Sequence, residues 1–147
     1  MIQPFVVAFV VGVTPGKWVR VWAERMPRHP LELRALTAAE AVAALRDETV
    51  DVALLRLPIE AADLSAIPLY VEQPVVISPK GHPIEALDAV TVADLAGENL
   101  LDGEWSGAVE LVAANVGVAV MPRSVARALS RKDVIARPVT DAATTQV

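Results

Sequence analysis

The rhythm of the first sixty residues is what most constrains this chain. Residues 5–13 read "FVVAFVVGV", an unbroken apolar, Val-rich run. Residues 31–36, "LELRAL", alternate apolar and polar, and residues 50–57, "VDVALLRL", form a third short run that stops at Pro58. The first run predicts a strand buried on both faces, and the other two predict strands of ordinary length. Between them lie two helix-length segments. Trp18, Val21, Trp22 and Arg25 recur at helical spacing until Pro27 and Pro30 stop the pattern, with Thr14 as N-cap and Pro15 as an early helix residue. Thr37 precedes Ala41, Val42, Ala44 and Leu45, with Glu40 three positions on, the spacing of a capping box. Strand-helix-strand-helix-strand with short connections implies right-handed crossovers and a parallel sheet carrying helices.

The remainder is built from similar short pieces. "IPLYVEQPVVISPKGHPI" is strand-like with an internal proline, which predicts an edge strand or a crossing between lobes. "TVADLAGENLL" reads as a short helix capped by Thr91, with Asp94 three on, leading to a strand. "SGAVELVAANVGVAVMP" reads as an amphipathic helix, a turn at Asn115 and Gly117, and a short strand. "RSVARALSRK" gives another helix and "VIARPV" another strand. No repeat with a period of 20 to 50 residues is visible.

Composition removes several chemistries. Hydrophobic residues make up 54% of the 147 and aromatics only 4%, so an aliphatic core is expected and disorder is not. There is no cysteine, which excludes disulfides, thiolate metal sites and cysteine nucleophiles. His29 and His82 lie far apart with no ligand-like spacing, so no metal is expected. A net charge of -5 argues against a nucleic-acid-binding surface as the main feature. Residues 40–104 hold thirteen acids against Arg46, Arg56 and Lys80, while both ends are net basic. The opening run lacks a cationic leader and a small-x-small cleavage site and is too short to span a bilayer. The expected location is cytoplasmic, with no membrane partner.

"VVGVTPGKWV" invites comparison with a phosphate loop. Gly12 and Gly16 are separated by three residues, where a Walker A loop has four, and Trp18 stands where the magnesium-binding hydroxyl belongs. What survives is a strand ending at a helix N-terminus, whose amides and dipole favour an anion such as a carboxylate. Thr14 adds a hydroxyl and Lys17 a charge, unless Thr14 only caps its helix and Lys17 is solvated. Arg56, at the end of the third run, lies either at a cleft mouth, suited to bidentate carboxylate capture, or is paired with an acid such as Asp51 or Glu72. The serines show no nucleophile-elbow context, and His82, in "PKGHP", reads as a surface-loop histidine. No cofactor fingerprint appears, and an enzyme is not expected.

Four segments taken in order, "VGVTPGKWVRVWAERMPRHPLELRAL", "AVAALRDETVDVALLRLP", "PLYVEQPVVISPKGHPI" and "AVELVAANVGVAVMPRSVAR", resemble the effector-binding domain of LysR-type transcriptional regulators. The resemblance implies an α/β, two-lobed fold like type 2 periplasmic binding proteins, with mostly parallel sheets flanked by helices, here incomplete or reduced. It places the first part of lobe I at 1–71, lobe II at 72–120 and a segment returning towards lobe I at 121–147. It implies a small organic acid or aromatic effector between the lobes, a homodimer, and DNA contact only through a helix-turn-helix absent from this chain. Carried over by position, the effector residues are Thr14, Pro15, Gly16 and Lys17 at the first helix N-terminus, Thr37 after the second strand, Arg56 near the hinge beside Pro58, and Ser106 at a second-lobe helix N-terminus. The alternative reading is a stand-alone dimerisation or interaction module that has no ligand.

Overall fold

The computed structural model describes residues 3–59 and 62–147. The chain divides into two compact units, Met1–Leu69 with Val147, and Tyr70–Gln146. The division falls two residues before the expected boundary.

The first unit contains β1 (Phe5–Phe9), α1 (Gly16–Arg25), β2 (Leu31–Ala35), α2 (Ala38–Arg46) and β3 (Val52–Leu54). Its sheet is parallel in the order β2-β1-β3, as the alternation of elements requires. The chain first moves outward from β1 to β2, then passes back over β1 to reach β3. Right-handed crossovers in opposite directions place α1 and α2 on opposite faces. Burial follows this division. Val6 and Ala8 of β1 and Ala41 of α2 are buried, whereas Phe5, Val7 and Phe9 are half-buried. The expectation of a strand buried on both faces is therefore corrected: α1 contributes no fully buried residue, and its Trp22 stacks on Phe5 at 5.0 Å between ring centroids.

Three other local expectations change. The first strand ends at Phe9, and the chain turns through Gly12, whose φ of 86° is in the left-handed region that glycine tolerates. The cap of α1 is Pro15, with no side-chain capping bond, so Thr14 is not the N-cap. The third strand is only three residues long. Asp51 explains its late start: its N–H donates to the Val6 carbonyl at 2.9 Å while its carboxylate accepts the Val6 N–H at 2.8 Å. A side chain thus stands where a further strand carbonyl would be.

The second unit contains β4 (Val71–Glu72), β5 (Pro74–Pro79), α3 (Trp105–Ala113), β6 (Ala119–Pro122), α4 (Arg123–Ala128), β7 (Val134–Pro138) and β8 (Thr145–Gln146), with 3₁₀ turns at Pro83–Ala86 and Ala93–Leu95. β5 is not an edge strand. It is the centre of an antiparallel sheet in the order β6-β5-β7, its first five residues are buried, and its prolines sit at its two ends. The parallel arrangement thus holds in the first unit and not in this sheet. Pleating sends Val75 and Ile77 into a cluster with Val109 and Val112 of α3 and Val125 of α4. Val76 points the other way, among Ile84, Val90, Leu95, Val118 and Val139.

The segment expected to return towards the first unit, 121–147, packs instead with the second, because β5 pairs with both β6 and β7; only Val147 groups with the first unit. The Asn115 and Gly117 turn is present, with Asn115 at φ 64°. Gly117 is there for space: a Cβ on it would collide with the Asn99 carbonyl, which accepts the Val118 N–H at 2.9 Å.

Candidate functional site

The carboxyl ends of the three parallel strands define the site. Val10 N–H donates to the Leu54 carbonyl at 3.4 Å and Leu36 N–H to the Phe9 carbonyl at 3.1 Å, so the strands end level with one another. The turn after β1, Thr37 after β2 and Arg56 after β3 therefore follow the same edge of the sheet. In the order β2-β1-β3 the connections leaving β1 and β3 diverge, and such a switch point opens a crevice where ligands of open α/β sheets bind.

Arg56 reaches across that point. Its Nη1 donates to the Val11 carbonyl at 2.8 Å, which brings a guanidinium to the turn that leads into α1. Of the acids weighed as its partners, Asp51 is held by the Val6 N–H, and Glu72 accepts from Ser124 Oγ and from Thr145 Oγ1, the latter at 2.9 Å.

Thr14, Gly16 and Lys17 are exposed, and Pro15 is half-buried. The backbone bond from Val19 N–H to Pro15 at 3.0 Å means that the amides of Gly16 and Lys17 precede the first intrahelical bond. With no side chain capping this helix, its positive end faces outward from a turn that also carries Lys17. Thr37 differs. Its hydroxyl accepts the Glu40 N–H at 3.2 Å and its own N–H donates to Glu40 Oε1 at 3.0 Å, a complete capping box. The Thr37 backbone N–H, then its hydroxyl, hold the Glu40 carboxyl below the usual carboxylate range. Ser106 belongs to the second unit, where its hydroxyl donates to Glu104 Oε1 at 2.7 Å, and Glu104 is the residue at the N-cap of α3. The structure thus bonds Arg56 to Val11, at the start of the turn that leads to Thr14–Lys17, and gives Thr37 and Ser106 local partners.

Three residues take roles that the sequence did not indicate. Val11 acts through its backbone carbonyl, which leaves no mark in side-chain chemistry. Glu72 is a buried carboxylate, only 6% exposed, within a polar strand-like stretch. His82 is not a surface-loop histidine. It caps the turn Pro83–Ala86, with Nδ1 accepting the Ile84 N–H at 3.1 Å, and Nε2 lies 3.1 Å from Glu98 Oε2. The first contact assigns the ring proton to Nε2, which then donates to Glu98. The Pro that follows it was the available signal, since Pro at the first position of a helical turn invites a capping residue before it. Among the described residues no group of three or more histidines and acids could hold a metal ion, and no helix is long and apolar enough to cross a membrane.

A family model described as the LysR substrate binding domain matches residues 11–106, which include this turn, Thr37 and Arg56. The chain belongs to that family. As a LysR substrate-binding domain it is part of a class of transcriptional regulators rather than a class of enzymes. It is 42% identical over 62 residues to a probable hydrogen peroxide-inducible genes activator of Mycobacterium xenopi, covering 42% of this chain and 33% of that protein. It is 38% identical over 79 residues to the protein of the same description from Mycobacterium avium, covering 54% and 25%. The matched stretches thus span a third or less of these relatives' length. Among solved structures, the oxidized form of OxyR superposes with a TM-score of 0.79 at 21% identity, covering 99% of this chain and 85% of that one. The BenM effector-binding domain with its effector benzoate gives 0.79 at 18%, covering 99% and 82%. At that identity the likeness shows the fold: an α/β fold of LysR-type effector-binding domains, type 2 periplasmic-binding-protein-like.

Proposed function

We propose that this LysR substrate-binding domain is the ligand-sensing part of a transcriptional regulator, and that the turn of Thr14 to Lys17 with Arg56 seats the carboxylate of a small organic acid. The observation that carries the reading is the bond from Arg56 to the Val11 carbonyl, which supports a guanidinium beside an uncapped helix N-terminus at the sheet's switch point. Backbone amides, Lys17 and Arg56 are all donors, and a planar carboxylate satisfies such a set. The effector changes regulation only through its different affinity for two arrangements of the regulator. DNA is read by a separate helix-turn-helix part, and two copies of the domain associate.

The relatives' names speak of hydrogen peroxide. This chain contains no cysteine, so it offers no thiol for peroxide to oxidise, which favours reversible binding of an acid over thiol chemistry. Calorimetry of the chain with a panel of aliphatic and aromatic carboxylates tests the reading. Saturable binding that Lys17→Ala and Arg56→Ala each weaken about tenfold supports it. Binding unchanged in both variants removes the proposed seat.

A second reading, an interaction module without a ligand, is favoured by α1. Trp18 on α1 and Leu33 and Val52 on the sheet are exposed and line a groove of about 220 Å³ with apolar walls. Sedimentation showing a dimer that no carboxylate perturbs supports this alternative.

A further inference from the structure

The sheet of the second unit is covered unevenly. α3 and α4 pack over β5 and β6, but β7 is an edge strand with Ala136 exposed. Residue pairs Val75 with Pro138 and Ile77 with Ala136 face each other across β5 and β7, and together with Val134 they floor a cavity of about 290 Å³ beside α4. Arg123 and Arg127 of α4 line the same cavity, and Ser130 adds a hydroxyl.

The charge balance there is unusual for an acidic chain. The acids near the far end of α4 are already engaged: Asp133 accepts from Arg131 at 3.0 and 3.2 Å, and Glu110 lies 3.7 Å from Arg131. The Arg131 guanidinium holds the Asp133 carboxyl below its usual range, as expected of a formed pair. Neither Arg123 nor Arg127 has a side-chain hydrogen bond or carboxylate partner among the described residues. Four residues apart on one helix, they sit one turn from each other on the same face. An apolar floor with two adjacent guanidinium groups at its rim is complementary to an amphipathic anion, with the body on the sheet and the acid group between the arginines.

We propose that this cavity is a second ligand site, distinct from the seat in the first unit, for an organic monoanion with a flat apolar body, an aromatic carboxylate of one or two rings. The class follows from the shape and the charge. The volume is at the small end of ligand pockets, roughly 300 Å³ and upward, which excludes long chains. The floor is aliphatic, and among the described residues the charged groups lining the cavity, Arg123 and Arg127, are cationic.

The test is titration of the isotope-labelled 147-residue chain with 2-naphthoate, followed by amide chemical shifts, with 2-naphthol as the uncharged control. Saturable shifts clustered at Ala126, Arg127, Ser130 and Ala136 are expected. Affinity should fall about tenfold in Arg127→Gln and further in the double variant with Arg123→Gln. 2-Naphthol should bind at least tenfold more weakly, and Ala136→Phe, which fills the cavity from an exposed strand position, should abolish the shifts. Shifts confined to residues 10–17 and 56, equal affinity in the double arginine variant, or no saturation each overturn the proposal. The first of these outcomes leaves the seat in the first unit standing, so the two sites are judged separately.

Discussion

Arg56 and Val11 stand 45 positions apart in sequence and meet through a 2.8 Å hydrogen bond from a guanidinium nitrogen to a main-chain oxygen. The bond spans the ends of two neighbouring parallel strands, so it ties the turn that opens α1 to the segment that leaves β3. Arg56→Ala should destabilise the first unit by at least about 1 kcal/mol, the usual net value for the Val11 hydrogen bond taken alone. Arg56→Lys keeps the charge but loses the planar fork, and should recover stability better than it recovers carboxylate affinity. Denaturant unfolding beside calorimetry measures the two effects. Equal recovery of both would show that fork geometry does not matter.

The capping box of α2 gives a pH-dependent signature. Thr37→Ala should destabilise by about 1 kcal/mol. Glu40→Gln should also destabilise, but only where the carboxylate is ionised. Because the folded carboxyl is held below its usual range, its contribution is present above the unfolded-state pKa and is lost as pH falls through the folded one. Wild type and Glu40→Gln should therefore differ at neutral pH and converge in acid. A difference that stays constant with pH would contradict the reciprocal bond.

Two glycines should respond in opposite directions to the same substitution. Gly117→Ala forces a Cβ onto the Asn99 carbonyl and should cost about 1–3 kcal/mol, read as a lower melting temperature. Gly107 lies inside α3 with open space where a Cβ would stand, so Gly107→Ala should gain about 0.5–1 kcal/mol from helix propensity alone. Destabilisation by both substitutions would contradict the open space at Gly107.

Ser78 is fully buried in β5, and its hydroxyl has no hydrogen-bond partner among the described residues. Ser78→Ala removes an unsatisfied polar atom with little change of volume. It should stabilise the chain by about 1 kcal/mol, seen as a higher denaturation midpoint at unchanged slope. A loss of stability would mean that the hydroxyl bonds an internal water.

The first unit was legible because its signals are local and mutually consistent. Thr37 with Glu40 predicts a cap that is present in full, and the three apolar runs predict a parallel sheet that forms. Failures came where one residue serves a distant backbone. Asp51 shortens β3 by bonding Val6, and nothing around Asp51 in sequence marks that role. Pro74 misled because a proline inside a strand-like run argues for an edge, yet it sits at the first position of a central strand, where no ladder N–H is missed. For the site, residue types were readable and neighbours were not: Arg56 was visible as a misplaced charge, but the Val11 carbonyl it bonds was not.

The pairing of β4 with β8 has an evolutionary consequence. Val71 lies opposite Gln146, and within the first unit Leu69 N–H donates to the Val147 carbonyl at 2.8 Å. Residues 70–146 form a cassette with adjacent ends, and a recombination event that exchanges it whole leaves the first unit's sheet uncut.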